Sequence, residues 1–118
     1  MLALVAALIA LAPFRVSLDA PSHTPKVNAR WAYTVTAVSR AGNPLRARLT
    51  VQIVDPFGGV HPVEFGNTHR KIANFRFTGR FRDFVKWPPE SRGFRLTFRV
   101  TVTSGGKAVR LTYWVRPR

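Results

Sequence analysis

Apolar and polar residues alternate with a period of two along most of the chain after residue 13. In residues 30–38, RWAYTVTAV, the odd-numbered positions are all apolar, and arginine or threonine fills three of the five even-numbered ones. The same alternation runs through RARLTVQIV (46–54), FRLTFRVTVT (94–103) and VRLTYWVR (109–116), with Phe94 on the apolar side. Because successive side chains of a strand point to opposite faces, this pattern predicts antiparallel strands with one face in a core and the other in water.

The stretch NFRFTGRFRDFVKW (74–87) interleaves phenylalanine with arginine. Such a mixture is typical of grooves that bind single-stranded nucleic acid, and also of an amphipathic strand whose polar side is arginine. Most of its apolar residues share one parity, namely Phe75, Phe77, Phe81, Val85 and Trp87, whereas Asp83 and Phe84 break the pattern. We therefore expect these rings to fill the core, where no base can stack on them, and we expect Gly79 to mark a bulge in the strand.

Clusters of proline, glycine and asparagine separate the alternating stretches and predict loops at residues 39–44, 55–59 and 87–93. The pair Gly105–Gly106 predicts a two-residue hairpin turn. This turn sets the register of the last two strands: Val102 opposite Val109, Val100 opposite Leu111, Phe98 opposite Tyr113, Thr97 opposite Trp114, Leu96 opposite Val115 and Arg95 opposite Arg116. In this register, residues on the core side of one strand lie opposite residues on the core side of the other. A slip of one residue would place core-side residues opposite solvent-side residues.

About seven short strands at this spacing predict a single all-β domain over residues 13–118, built as a two-sheet antiparallel β-sandwich. Two segments carry a more specific resemblance: WAYTVTAVSRAGNPLRARLTVQIV (31–54) and PPESRGFRLTFRVTVTSGGKAVRLTYWV (88–115). They resemble the B–C region and the F–G hairpin of bacterial immunoglobulin-like (Ig-like) domains, which implies an Ig-like β-sandwich in an extracytoplasmic setting. The chain has no cysteine and no tyrosine corner, so it departs from the antibody-type members.

Residues 1–12, MLALVAALIALA, are uncharged and wholly apolar. Their length suits the hydrophobic part of a signal peptide and falls short of the ~20 residues that span a bilayer. No basic residue precedes the segment and Pro13 follows it, so a retained anchor, a core helix and a start further upstream are alternatives to a cleaved leader. We expect export and an extracytoplasmic location, either secreted or in the cell envelope.

The chain carries 19 lysine and arginine residues against five acids, for a formal net charge of +14. Fifteen of the cations are arginines. A coding bias toward arginine accounts for the ratio of arginine to lysine, but it accounts less well for the scarcity of acids. The charge favours an anionic partner, such as an acidic polysaccharide, an envelope polymer, nucleic acid or a membrane surface.

The outward positions of the third strand and of the last two strands are rich in arginine. In an Ig-like sandwich these strands share a sheet, a topology that the resemblance implies. The candidate anion-binding residues are Arg46, Arg48, Arg95, Arg99, Arg110 and Arg116, with Trp114 as an aromatic surface for a sugar or a base. A solvated face that binds nothing specific is the alternative.

No residue pattern predicts catalysis, a metal site or a small-molecule cofactor. His23, His61 and His69 are expected in exposed loops, and zinc or copper would need several of them to converge. The five acids have no spacing that forces two of them together, and no serine lies in a nucleophile elbow. We expect a non-enzymatic binding or envelope structural module, with a polyanion-binding protein as the alternative.

A further alternative is an exported cysteine-protease inhibitor of the chagasin type, a family that has this size and architecture and binds through loops. Three dipeptides resemble the loop motifs of those inhibitors in chain order: Asn43–Pro44, Gly58–Gly59 and Arg116–Pro117. The residues after Asn43–Pro44 differ from the motif, and no aromatic residue follows Pro117. The chain therefore departs from these inhibitors at two of the three loops.

Overall fold

The computed structural model describes residues 13–118; the first twelve residues, and with them the expected leader or anchor, lie outside this range. The described chain forms eight strands and one short 3-10 helix. The strands are β1 (Arg15–Asp19), β2 (Arg30–Val38), β3 (Arg46–Val54), β4 (Val60–Pro62), β5 (Phe75–Thr78), β6 (Arg80–Lys86), β7 (Leu96–Ser104) and β8 (Lys107–Val115). The 3-10 helix spans Pro89–Ser91, and residues 13–118 contain no helix of the length and apolarity that crossing a bilayer requires.

The strands form two antiparallel sheets. The three-stranded sheet has the order β1-β2-β6, and the five-stranded sheet has the order β4-β3-β7-β8 with β5 also paired to β3. β4 and β5 share one edge of β3, where β5 pairs with residues 46–49 and β4 with residues 52–54. The prediction of an all-β antiparallel sandwich is confirmed, with eight strands in residues 13–118 where about seven are expected from the sequence.

The core lies between the two sheets and is filled by the apolar positions of the alternating stretches. Trp31, Tyr33 and Val35 of β2 face it from the three-stranded sheet, and each is at most 3% exposed. Trp31 packs edge-on against Trp87 and Phe98, with ring centroids 5.4 and 5.1 Å apart. A large aromatic side chain buries ~150–250 Å², so these rings supply much of the hydrophobic stabilisation of the sandwich.

The last two strands pair as the Gly105–Gly106 turn predicts. Leu96 faces Val115 and Thr97 faces Trp114, and the same register continues to the turn. Both turn glycines have positive φ, 58° and 74°, a backbone conformation that glycine adopts without a steric penalty. Turn chemistry and the alternation of apolar residues therefore select the same register.

Phe94 lies outside the core, contrary to the prediction. It is 48% exposed, and β7 begins only at Leu96. The backbone before β7 belongs to a turn, in which the Phe94 N–H donates to the carbonyl of Ser91 at 3.1 Å and Gly93 has φ 82°. The alternation in the sequence thus extends two residues further than the strand that it predicts.

The phenylalanine–arginine stretch forms two strands in different sheets, not one bulged strand. β5 pairs with β3, β6 pairs with β2, and Gly79 between them has φ 74°. The Gly79 N–H donates to the carbonyl of Leu45 at 2.9 Å, and its carbonyl accepts from the N–H of Ala37 at 2.8 Å. The rings keep the predicted side across this crossing, since Phe75 and Phe81 meet in the core with centroids 5.5 Å apart.

Candidate anion-binding face

The outward side of the five-stranded sheet carries arginines on neighbouring strands. Core residues alternate with them, so each of these arginines projects away from the interior. We call this surface the basic face, and its members within strands are Arg46 and Arg48 (β3), Arg76 (β5), Arg99 (β7) and Arg110 (β8). The five strands of this sheet contain no aspartate and no glutamate.

Like charges face each other where β3 begins. Arg48 is the direct register partner of Arg76, and Arg46 is the partner of Thr78. Directly opposed side chains have Cβ atoms ~4.5–5.5 Å apart, and opposed like charges destabilise a sheet by up to ~1 kcal/mol. On its other side Arg48 faces Thr103, which brings no negative charge. An anion bound between these guanidinium groups would relieve the repulsion.

Two arginines at the centre of the basic face are held by neutral acceptors. Arg99 donates from Nη2 and Nε to Oε1 of Gln52 at 2.8 and 3.3 Å, and Gln52 is its register partner on β3. Arg110 donates from Nε to Oγ1 of its partner Thr101 at 3.3 Å. These bonds orient the guanidinium groups, but they leave the charge and most of the five N–H donors of each group for a ligand.

Trp114 lies in an aromatic stack at the end of the basic face that is opposite to Arg46 and Arg48. The ring of His23 is nearly parallel to those of Tyr113 and Trp114, with its centroid 4.1 Å from each, and therefore lies between them. Nδ1 of His23 donates to the carbonyl of Trp114 at 2.6 Å. The guanidinium carbon of Arg95 lies 4.9 Å from the centre of the Trp114 ring. Because His23 and Arg95 contact this ring, only part of it remains as a surface for a sugar or a base.

Asp55 and Asp83 are engaged away from the basic face. Asp55 accepts hydrogen bonds from the N–H groups of Phe57 and Gly59 at 2.8 and 2.9 Å, and from Nε2 of His61 at 2.8 Å. The bond from His61, followed by the two backbone bonds, holds the pKa of Asp55 below its ordinary value of 3.8. Asp83 accepts from a backbone N–H at 3.0 Å. Within residues 13–118, no ion pair shorter than 4 Å joins an arginine of the basic face to a carboxylate.

The structure places the predicted anion-binding residues on one sheet. Arg46, Arg48, Arg99, Arg110 and Trp114 occupy outward positions of β3, β7 and β8. Arg95 and Arg116 lie just beyond the pair Leu96–Val115, where the ladder of β7 and β8 ends. Together these residues form a strip that follows the strands from one end of the sheet to the other, not a compact cluster.

Sequence reasoning misses two members of this surface. It assigns Arg76 to the polar side of its strand but not to the site, because the pairing of β5 with β3 is a contact between distant parts of the chain. Gln52 carries no charge and gives no signal until the register between β3 and β7 places it opposite Arg99. One indication of the placement of Arg76 is present in the sequence: Gly79 is a position at which one strand can end and another can begin.

The histidines lie apart from one another. His61 is part of β4, whereas the sequence predicts a loop there, and it pairs with Asp55. Nδ1 of His69 lies 3.2 Å from Glu64, and His23 belongs to the aromatic stack. In residues 13–118, no group of three or more histidine, cysteine, aspartate or glutamate side chains is arranged to hold a metal ion.

The three dipeptides that resemble inhibitor loops lie at two ends of the sandwich. Asn43–Pro44 precedes β3 and Gly58–Gly59 follows it, so the length of this strand, ~30 Å, separates them. Arg116–Pro117 follows β8 at the same end as Gly58–Gly59, because the end of β8 pairs with the start of β7, and β7 starts beside the end of β3. The structure does not bring the three dipeptides to one surface.

Comparison of the chain with protein-family models, with curated proteins and with solved structures finds no match to any of them. A function for this protein therefore has to be inferred from its own residues. The most distinctive of these residues are the arginines of the basic face.

Proposed function

We propose that this protein is an exported, non-enzymatic binding module of the Ig-like type, and that its basic face binds an anionic polymer. Acidic polysaccharides, envelope polymers and nucleic acids share the required chemistry, a chain of regularly spaced negative charges. Export and the lack of catalysis are taken from the sequence, from its apolar start and from the absence of a nucleophile or acid–base pattern.

The strand order supports the Ig-like part of the proposal. In Ig-like sandwiches the first, second and fifth strands belong to one sheet, and the third and the last two strands belong to the other. Here β1 and β2 are joined by β6, and β3 lies beside β7 and β8 with β4 at its free edge. The short strands β4 and β5 follow the third strand, the part of the chain where variable-type Ig domains add two strands to the same sheet.

The single observation that carries the proposal is the uncompensated charge of the five-stranded sheet. Its strands contain six cations and no acid, whereas the strands of the three-stranded sheet contain five cations and two acids. Neutral hydrogen-bond acceptors hold the central guanidinium groups without neutralising them. A surface of one sign attracts and retains ligands of the other sign.

The extent of the basic face favours a polymer over a small anion. Arg46 stands at the beginning of β3, and Arg95 lies just before β7, whose first residues pair with the end of β3. The two are therefore separated by about the length of a nine-residue strand, which is ~30 Å. A small anion would meet only one or two of the arginines, whereas an extended polyanion lying along the strands would meet most of them.

Retention on immobilised heparin and on DNA, measured across a salt gradient, tests the proposal. On DNA the logarithm of the affinity falls linearly with the logarithm of the salt concentration, with a slope of roughly −0.9 for each phosphate contact. We expect the double substitution Arg95→Ala, Arg99→Ala to flatten that slope by about two units, one for each lost contact.

The matched control removes two cations from the other sheet. Arg82 and Lys86 are exposed on β6, so Arg82→Ala with Lys86→Ala lowers the net charge equally but leaves the basic face intact. The proposal is contradicted if both double variants change the slope equally, or if the wild-type chain is retained no longer than an unrelated protein of the same net charge.

A further inference from the structure

A cleft opens at the end of the basic face where β3 begins and the β7–β8 turn lies. Its volume is about 300 Å³. Arg46 and Arg48 line one side, and Thr103, Ser104, Gly105 and Gly106 line the other. Arg76 does not line the cleft, but it is the register partner of Arg48 on β5, on the side of β3 away from the turn. The cleft therefore lies between two arginines and a glycine turn, with a third arginine on the next strand.

Three hydrogen-bond donors of the residues that line the cleft have no partner in the described chain. Within residues 13–118, the N–H groups of Gly105 and Gly106 and the hydroxyl of Thr103 make no hydrogen bond to the protein. The Ser104 hydroxyl differs, since it donates to the carbonyl of Arg46 at 2.8 Å and so ties the turn to the start of β3. This bond holds the two walls of the cleft together, which pre-organises the donors around it.

No carboxylate side chain lies on the strands or the turn that form the cleft. Asp55 follows the far end of β3, ~30 Å of extended chain from Arg46. Asp19 and Asp83 belong to the three-stranded sheet. Glu64 follows β4, which pairs with the far end of β3, and Glu90 lies in the helix that precedes β7. The positive charge of the three arginines is therefore unopposed at this end.

We propose that this cleft is a subsite for a tetrahedral oxyanion, namely a sulfate or phosphate monoester group carried by the polymer, in preference to a carboxylate. The inference rests on the proposed function and narrows it, because it names the anionic group that the polymer carries. Polymers whose only charges are carboxylates would bind this end of the face more weakly.

The placement of the donors on two different elements favours the tetrahedral group. A carboxylate has two oxygens in one plane, and the planar fork of a single arginine satisfies both. Here the lining residues supply donors from two elements: the guanidinium groups of β3 and the unpaired backbone N–H groups of the turn, a type of donor that also binds anions elsewhere. A sulfate or phosphate monoester has three terminal oxygens that point in different directions and can meet both sides at once.

The size of the cleft is consistent with this ligand. Its volume of about 300 Å³ is many times what one water molecule needs. That is room for an oxyanion group, part of the residue that carries it and a few waters. The cleft lies on the same sheet as Arg110 and Arg99, so the rest of the polymer can continue toward these arginines.

Nuclear magnetic resonance of the full-length chain labelled with nitrogen-15 tests the subsite directly. Inorganic sulfate is titrated in one series and acetate in another, at matched ionic strength. We expect saturable shifts of the Gly105 and Gly106 amide signals with sulfate, and a dissociation constant for acetate that is weaker by about tenfold or more, the effect of losing one charge-assisted hydrogen bond.

The double substitution Arg48→Ala, Arg76→Ala removes the two facing guanidinium groups. We expect it to abolish the saturable shifts, whereas the control substitutions Arg82→Ala and Lys86→Ala leave them unchanged. Shifts that are equal for sulfate and acetate, or that survive in the Arg48–Arg76 variant, would overturn the subsite. The comparison of sulfate with acetate uses only the wild-type chain, so it decides the question even where a variant folds poorly.

Retention on heparin and on desulfated heparin, which keeps its carboxylates, separates the subsite from the proposed function. Earlier elution from the desulfated polymer, with the difference lost in the Arg48–Arg76 variant, supports the subsite. Equal retention on both polymers, above that of a protein of equal net charge, rejects the subsite and leaves polymer binding standing. Retention on neither polymer rejects polymer binding, and the sulfate titration alone then decides whether the cleft binds an oxyanion.

Discussion

Tyr33 is the residue whose chemistry differs most from that of a free side chain. It lies in β2 at the centre of the core and is 1% exposed, and its hydroxyl has no hydrogen-bond partner in the described chain. Burial, and after it the nearby charge of Asp83, raises the pKa of Tyr33 above its ordinary value of 10.0. The reason is that the phenolate would lose its hydration and would be repelled by the carboxylate.

Replacing Tyr33 by phenylalanine is expected to stabilise the fold or leave it unchanged at neutral pH. The substitution keeps the ring contacts and removes a buried, unpaired hydroxyl, whose desolvation costs ~1–3 kcal/mol. Urea unfolding of both proteins measures the difference. A loss of more than ~1 kcal/mol would show that the hydroxyl is satisfied, for example by a buried water.

The free energies of unfolding of the wild-type protein and the Tyr33→Phe variant are expected to differ more at alkaline pH. In the unfolded chain Tyr33 loses its proton near its ordinary pKa, but in the folded state the raised pKa makes it keep the proton. The contribution of this group to stability is therefore fully present below pH 10.0 and falls as the pH rises above it, by up to ~1.4 kcal/mol per pH unit. We expect the advantage of the phenylalanine variant to grow above that pH, and a constant difference would contradict this account.

At the scale of the strands, Gly79 is the residue at which the chain passes from the five-stranded sheet to the three-stranded sheet. β5 belongs to the five-stranded sheet and β6 to the three-stranded one, with a single residue between them. A Cβ atom at Gly79 would lie 3.0 Å from Cβ of Pro44, and φ is 74°. Only glycine meets both conditions without strain, so this residue makes the arrangement of Arg76 beside Arg48 possible.

Gly79→Ala is expected to destabilise the protein by about 1–3 kcal/mol, through the left-handed backbone and the contact with Pro44. Gly58→Ala is the matched control, since Gly58 has φ 87° but open space around its Cβ position. The difference between the two variants in urea unfolding isolates the contact at the crossing. Equal losses would mean that only the backbone conformation matters there.

Over the whole molecule, charge is distributed unevenly between the two sheets. The five-stranded sheet carries cations without acids, whereas both acids found within strands, Asp19 and Asp83, lie on the three-stranded sheet. The unevenness gives the sandwich one surface of uncompensated positive charge, which is the basis of the proposed binding of an anionic polymer. An exported protein with such a surface would meet envelope or extracellular polyanions directly.

Export is tested by fractionating cells that express the full gene, including any start upstream of the first methionine. We expect the protein outside the cytoplasm, because twelve uncharged apolar residues precede the sandwich. Deleting those residues should leave the protein in the cytoplasm. Recovery of the intact wild-type protein only from the cytoplasmic fraction would contradict this part of the proposal.

The sequence by itself determines the strands β2, β3, β7 and β8, their inward faces and the register of the last hairpin. These features follow from local physics, since the period of two is a property of the extended backbone and a two-residue glycine turn permits one pairing of Leu96 through Val102 with Val109 through Val115. The positive charge and its outward parity on β3, β7 and β8 follow in the same way.

Only the tertiary structure decides which strands are neighbours across the sheet, and with them the composition of the basic face. Arg76 joins Arg48 because β5 pairs with β3, and Gln52 holds Arg99 because β3 pairs with β7. The local pattern around each of these residues would fit several partners, since the pairing preferences of outward polar positions, at most ~1 kcal/mol each, are too small to select one. The choice depends on how all the inward faces pack together, a competition between distant parts of the chain that no short stretch of sequence contains.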